Sequence, residues 1–134
     1  MRVVLDTNVL IAAFITRGAC STLLEHCFNQ HELITSDFIL TEFRDKLIQK
    51  FNFKKQDVEE AIRLLQSKME IVAPSTLEAP VCRDPDDDQI LGTALAGSVA
   101  CIVTGDKDLL VIKQFNQIEI LHPSEFAEFE ARRS

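Results

Sequence analysis

Tryptophan and tyrosine are absent from this 134-residue chain, and all nine of its aromatic side chains are phenylalanine. Nothing in that set signals an aromatic platform on which bases would stack. Glycine is scarce at four residues, and Gly18, Gly92, Gly97 and Gly105 form neither G-x-G-x-x-G nor G-x-x-x-x-G-K. A nucleotide cradled on a glycine-rich loop is excluded, and so is a G-x-S-x-G nucleophile elbow. Cys20, Cys27, Cys82 and Cys101 show no C-x-x-C spacing, which reads as ordinary thiols of a reducing compartment rather than a zinc site or redox pair. No apolar run approaches the roughly 20 residues of a membrane span. The apolar start, residues 1–15, carries Asp6 in its middle and has no basic leader with a cleavage site. The expectation is a cytoplasmic protein without signal peptide or membrane segment.

What is present suits a globular fold. Hydrophobic residues make up 46% and charged residues 26%, a balance that excludes a disordered tail or a low-complexity scaffold. The length is that of one domain spanning residues 1–134, and such a chain buries roughly two-thirds of its unfolded surface. The net charge of −7 argues at first against a phosphate-bearing partner. The acids are concentrated, however. Setting aside Asp6, Glu42, Asp84, Asp86, Asp87, Asp88, Asp106 and Asp108 leaves 13 of the 21 acids against 14 basic side chains. Acidity confined to so few positions is what holding divalent cations would require.

Strand and helix patterns alternate along the chain. Arg2-Val3-Val4-Leu5-Asp6 reads as a fully buried strand, and Thr7-Asn8 opens an apolar helical stretch over 9–15. A second helical pattern follows Cys20, and Glu32-Leu33-Ile34-Thr35 is the next strand. Ser36 or Asp37 caps a helix reaching about Phe51, with Leu40, Phe43, Leu47 and Phe51 on one face. Residues 57–69 form an amphipathic helix through Val58, Ile62, Leu65 and Met69, and 70–73 a third strand stopped by Pro74. Asp84-Pro85 begins a helix to Gly97. A fourth strand covers 100–104, a short helix follows Asp106, a fifth strand covers 118–121, and Pro123-Ser124 starts a last helix. The order predicts an α/β three-layer sandwich around a central parallel sheet of about five strands. In such sheets ligands sit beyond the carboxyl ends of the strands.

Acids stand where that rule points. Asp6 ends the first strand and Asp106 the fourth, so neighbouring strands would bring both into one crevice. Either could also cap the helix that follows. The run Asp84-Pro85-Asp86-Asp87-Asp88 exceeds what a helix dipole rewards, because adjacent carboxylates repel unless a cation lies between them. Asp87 shares a helical face with Leu91 and Ala94; Asp84 suits the cap, and Asp88, a quarter turn away, is the alternative to Asp87. Periodicity puts Glu42 opposite the buried stripe of its helix, with Asp45 and Gln49, as a solvated residue. His26, His31 and His122 are scattered and read as surface residues. Oxygen ligands without histidine or thiolate select Mg²⁺ or Mn²⁺ over zinc. A carboxylate-held metal without a nucleotide loop most often activates water against a phosphate ester.

Taken together, Val3-Val4-Leu5-Asp6-Thr7-Asn8, Thr41-Glu42-Phe43, Asp87 seven residues before Ala94, and Val103-Thr104-Gly105-Asp106-Lys107-Asp108 resemble the PIN-domain family, in order and along nearly the whole chain. The resemblance implies a metal-dependent ribonuclease like the VapC-type toxins of prokaryotic toxin–antitoxin pairs. It implies that Asp6, Glu42, Asp87 and Asp106 form the catalytic, metal-binding quartet, which sets aside the solvated reading of Glu42. It makes Asn8 and Thr104 supporting or water-positioning groups. It further implies Mg²⁺ or Mn²⁺, a homodimer, and a protein antitoxin laid across the acidic crevice.

Hydrolysis by an activated water would leave a 5′-phosphate and a 3′-hydroxyl. RNA would be held mainly by its backbone, with Arg17, Arg44, Lys46, Lys54, Lys55, Lys107 and Lys113 as candidate phosphate contacts. Phe28, Phe38, Phe51, Phe53 and Phe115 divide between core and a partner surface. Three alternatives stand beside this reading. One is a PIN-type RNA-processing nuclease without antitoxin, and another a binding module with a degenerate site. The third is a non-hydrolytic Mg²⁺-binding signalling domain, which would want an acceptor Asp where Ala73-Pro74-Ser75 stands. A D-x-D phosphatase would want Asp where Asn8 stands.

Overall fold

Short β-branched runs and longer amphipathic ones alternate as the sequence predicts. A computed structural model of the chain describes residues 1–133. Its elements are β1 (Arg2–Leu5), α1 (Thr7–Ile15), α2 (Ala19–Gln30), β2 (Glu32–Thr35), α3 (Asp37–Gln49), α4 (Lys55–Lys68), β3 (Met69–Ile71) and α5 (Pro85–Gly97). There follow β4 (Cys101–Val103), α6 (Lys107–Leu110), β5 (Gln114–Phe115), β6 (Ile118–Leu121), a 3₁₀ turn at Pro123–Glu125 and α7 (Phe126–Arg133). The sheet order is β3-β2-β1-β4-β6-β5. Among the described residues five strands are parallel, and only β5 runs antiparallel, against β6.

β1 lies at the centre, and Val3, Val4 and Leu5 are at most 1% exposed. A strand covered on both faces needs apolar side chains at every position, which explains its unbroken hydrophobic run. The steps from β1 to β2 and from β2 to β3 go one way across the sheet, and the step from β3 to β4 returns over both. Right-handed crossovers then put α1 to α4 on one face and α5 on the other. α5 indeed packs over β1 and β2, while α1 packs on α2 and α3. The direction of winding reverses between β1 and β4, and there the carboxyl ends of an open α/β sheet leave a crevice.

Three expectations are corrected. Met69 opens β3 rather than closing α4, and the strand ends at Ile71, because parallel pairing with Leu33, Ile34 and Thr35 of β2 sets its span. α3 stops at Gln49, which leaves Phe51 38% exposed instead of extending the buried stripe. The sixth strand, β5, was not expected. It is two residues long and turns into β6 through Asn116 (φ 48°) and Gln117 (φ 69°), a two-residue hairpin turn made without the usual glycine.

One close approach fixes how α5 sits. Ser75 donates its N–H to the Gly92 carbonyl oxygen at 2.9 Å, and a Cβ on Gly92 would stand 2.4 Å from the Ser75 carbonyl oxygen. Backbone cannot yield as a flexible side chain can. Gly92→Ala is expected to lower stability by a net of about 1–2 kcal/mol in urea unfolding, despite alanine's better helix propensity. An unchanged or raised midpoint would contradict this packing.

Candidate active site

Parallel pairing aligns Leu5 with Val103, so β1 and β4 end level and the residues after them share one edge. The Asp6 N–H continues the ladder to the Val103 carbonyl at 2.9 Å. Asp6 is only 6% exposed, and a buried carboxylate is costly unless hydrogen bonds meet it. Two do. Thr7 donates its N–H to Oδ1 at 2.7 Å, and Thr104 donates its Oγ1 hydroxyl to Oδ2 at 2.7 Å. Burial nonetheless pushes the Asp6 carboxyl above its ordinary pKa, and the charge of Asp106 adds to the effect.

Each partner of Asp6 reaches a further acid. Thr7 donates its hydroxyl to Glu42 Oε1 at 2.7 Å. Asp106 donates its N–H to Thr104 Oγ1 at 3.0 Å, and its own Oδ1 accepts the Asp108 N–H at 2.9 Å as the cap of α6. A continuous chain of hydrogen bonds thus runs through Glu42, Thr7, Asp6, Thr104, Asp106 and Asp108. Burial also raises the pKa of Glu42.

α5 supplies the opposite wall. Asp84 caps it by accepting the Asp86 N–H at 2.9 Å, and Pro85 takes the first helical position. Leu91 and Ala94 are fully buried, and Asp87, on the same stripe, faces Asp106. The carboxylates of Asp87, Asp106 and Asp108 each offer an oxygen within 4.8 Å of the others. Asp88 points elsewhere: it accepts the N–H groups of Val81 at 3.2 Å and Cys82 at 2.9 Å, pinning the loop before α5. Burial and the adjacent Asp106 charge push the Asp87 carboxyl up to about 7. Among the described residues, no lysine or arginine forms an ion pair with Asp87 or Asp106.

All four acids picked from the sequence therefore reach the same edge, Glu42 by way of Thr7. Three contributors lay outside that quartet. Asp108 joins Asp87 and Asp106, and its position two residues after Asp106 was the available signal. Arg83 pairs with Asp108 at 2.7 Å, and Thr7 links Asp6 to Glu42. Among the candidate phosphate contacts, Lys46 stands at the crevice, 3.3 Å from Asn8 Oδ1, with its charge acting on Asp6 and Glu42. Arg44 instead turns to Glu59 at 2.7 Å. Phe28, Phe38, Phe53 and Phe115 pack against the core, leaving Phe51 as the exposed member of that set. The histidines are not scattered: His26 and His31 meet at Glu130, and His122 caps the 3₁₀ turn.

The donor set is all oxygen and crowded, and among the described residues no basic side chain is paired with Asp87 or Asp106. That chemistry fits a hard divalent cation such as Mg²⁺ or Mn²⁺.

An open parallel sheet carrying paired acids at its switch point defines a broad class of α/β proteins, and comparison narrows it. The PIN domain family matches residues 2–108. The uncharacterised protein MJ1680 of Methanocaldococcus jannaschii is 31% identical, over 96% of this chain and 90% of its own length. The chain belongs to the PIN domain family. In fold it is similar to VapBC2 from Rickettsia felis bound to a DNA fragment from their promoter (TM-score 0.66, 18% identity, 91% of this chain and 98% of that one). VapBC-1 from nontypeable Haemophilus influenzae (0.64, 18%, 92% and 99%) and FitAcB from Neisseria gonorrhoeae (0.58, 18%, 91% and 98%) are similar in the same way. Among the described residues, no single helix is long and apolar enough to cross a membrane.

The raised Asp87 carboxyl has a consequence for stability. An unfolded aspartate loses its proton near 3.8, the folded one near 7. Between these values the native state binds the extra proton, so this group makes the metal-free protein less stable as pH rises from about 4 to about 7. Asp87→Asn removes the charge. The variant's Tm, measured with EDTA present, should pull ahead of wild type across that window; a Tm difference that does not change with pH would contradict the placement of Asp87 against Asp106.

Proposed function

We propose that this chain is a metal-dependent endoribonuclease that cuts phosphodiester bonds to leave a 5′-phosphate and a 3′-hydroxyl. Residues 1–134 act as one nuclease domain, in the cytoplasm, as the toxin of a prokaryotic toxin–antitoxin pair. The observation that carries the reading is the meeting of Asp87, Asp106 and Asp108 within 4.8 Å, joined through Thr104 to the buried Asp6, with no lysine or arginine among the described residues paired to Asp87 or Asp106. Membership of the PIN domain family, whose members are typically nucleases, supports it.

Asp6, Asp87 and Asp106 would hold Mg²⁺ or Mn²⁺, with Glu42 completing the quartet. When bound, the ion supplies an activated water and charge neutralisation at the phosphate. The chain's own residues prepare the site. Thr104 fixes one Asp6 oxygen and, through the Asp106 N–H, the start of α6. Thr7 fixes the other Asp6 oxygen and orients Glu42. Carboxylates set in advance need no rearrangement when charge develops in the transition state. Lys46, at the rim beside Asn8, is placed to take a backbone phosphate of single-stranded or looped RNA.

The partner reading rests on the similar solved structures. VapBC2, VapBC-1 and FitAcB are toxin–antitoxin complexes, and an antitoxin arginine laid across this crevice would pair with Asp87 and Asp106 bidentately. The chain acts as a homodimer in this reading.

The test is cleavage of end-labelled single-stranded RNA with Mg²⁺, Mn²⁺ or EDTA. Wild type should cut only with metal, and Asp6→Asn should lose at least about a hundredfold in rate, whereas Thr104→Val, which keeps all four carboxylates but frees Asp6 and the Asp106 N–H, should lose about 10–100-fold. Metal-independent cutting, unchanged cutting by Asp6→Asn, or cutting of DNA alone would overturn the proposal.

A further inference from the structure

A second group of ligand-type side chains lies at the opposite end of the sheet from the acids. His26 comes from α2, His31 follows that helix and directly precedes β2, and Glu130 comes from α7. His26 Nε2 stands 2.6 Å from Glu130 Oε2, and His31 Nε2 contacts the same oxygen. One donor atom from each of the three residues lies within 4.8 Å of the others.

The imidazoles are aimed by their packing. Their centroids are 5.5 Å apart at 76°, and both rings stand edge-on to Phe126, at 6.4 Å and 5.8 Å. Phe126 itself is buried. The His31 side chain is 10% exposed, and its Nδ1 faces the Met1 nitrogen at 3.1 Å. A groove of about 430 Å³, lined in part by Ala19, Leu23, His26, Phe126 and Glu130, opens beside the group. The groove thus gives access to His26 and Glu130, with His31 packed behind them.

Glu130 Oε2 has lone pairs for both imidazole N–H groups. The same three donor atoms also lie close enough together to take one ion in place of those protons. We infer that His26, His31 and Glu130 form a second metal site, one that takes Zn²⁺ or a similar divalent transition ion and is independent of the acidic crevice. Two imidazoles and a carboxylate with a fourth position open to solvent are a zinc donor set, whereas the all-oxygen crevice suits harder ions. Metal–ligand distances of about 2.0–2.2 Å put tetrahedral ligand atoms roughly 3.3 Å apart. The three side chains would spread by less than about 1 Å, and each imidazole would bind through its Nε2 lone pair as the neutral Nδ1–H tautomer, the Nε2 proton leaving to solvent. The bound ion would clasp α7 to α2 and to the start of β2. It would stabilise the folded chain by its affinity for that state.

Calorimetric titration of the EDTA-stripped full chain with Zn²⁺ tests this, using wild type, Asp106→Asn, and the double variant His26→Gln with Glu130→Gln. Asp106→Asn should take one equivalent with micromolar or tighter affinity and wild type at least that equivalent, whereas the double variant should bind this equivalent more than about a hundredfold more weakly. Wild type loaded with Co²⁺ should show the intense visible absorption of a four- or five-coordinate site, a readout that does not depend on the variant folding. Absence of Zn²⁺ uptake by wild type, equal uptake by the double variant, loss of uptake in Asp106→Asn, or a weak octahedral Co²⁺ spectrum would overturn the inference.

Discussion

Val3, Val4 and Leu5 of β1 lie in register beside Cys101, Ile102 and Val103 of β4, and from that pairing the rest of the site follows. It carries Asp6 and the segment from Thr104 to Asp106 past the sheet edge together. It also buries Asp6, which must then be met by hydrogen bonds. The two groups that meet it are threonines, and each has a second contact: Thr7 with Glu42, Thr104 with Asp106. A carboxylate accommodated in this way becomes the hub that positions its neighbours. Were β1 and β4 separated by another strand, Asp6 and Asp106 would be ordinary helix caps about 10 Å apart, two strand spacings.

Much of this was legible in the sequence because it is local. A strand ending in Asp, a proline one residue after the capping Asp84, and Asp87 in helical phase with Leu91 and Ala94 each follow from spacing. The structure separates Asp87 from Asp88 by what each one touches: Asp88 is occupied by the Val81 and Cys82 N–H groups. Glu42 shows where periodicity fails. It lies off the buried stripe of α3, yet α1 packs across that helix and Thr7 reaches the carboxylate. Burial stripes mark the side facing the sheet, not every side that faces protein. β5 was hidden for a different reason: two residues and a glycine-free turn leave no periodic signal.

The histidines were misread because their proximity is not written in spacing. His26 and His31 are five residues apart, across the end of a helix, and Glu130 is about a hundred residues further on. Only the return of α7 toward α2 closes that group. The fold therefore has two chemically different ends. Carboxylates gather at the carboxyl edge of the strands, where harder cations are favoured, and imidazoles join a carboxylate near the other edge. One sheet keeps them apart, so the terminal helix can be fastened without touching the crevice.

In the proposed function the acids after β1 and β4 and in the first turn of α5 surround a cation. Anomalous diffraction from crystals grown with Mn²⁺ tests this most directly. The expected result is a manganese peak bounded by Asp6, Asp87 and Asp106. A well-ordered crevice with no peak among those carboxylates, at a Mn²⁺ concentration that supports RNA cleavage, would contradict it.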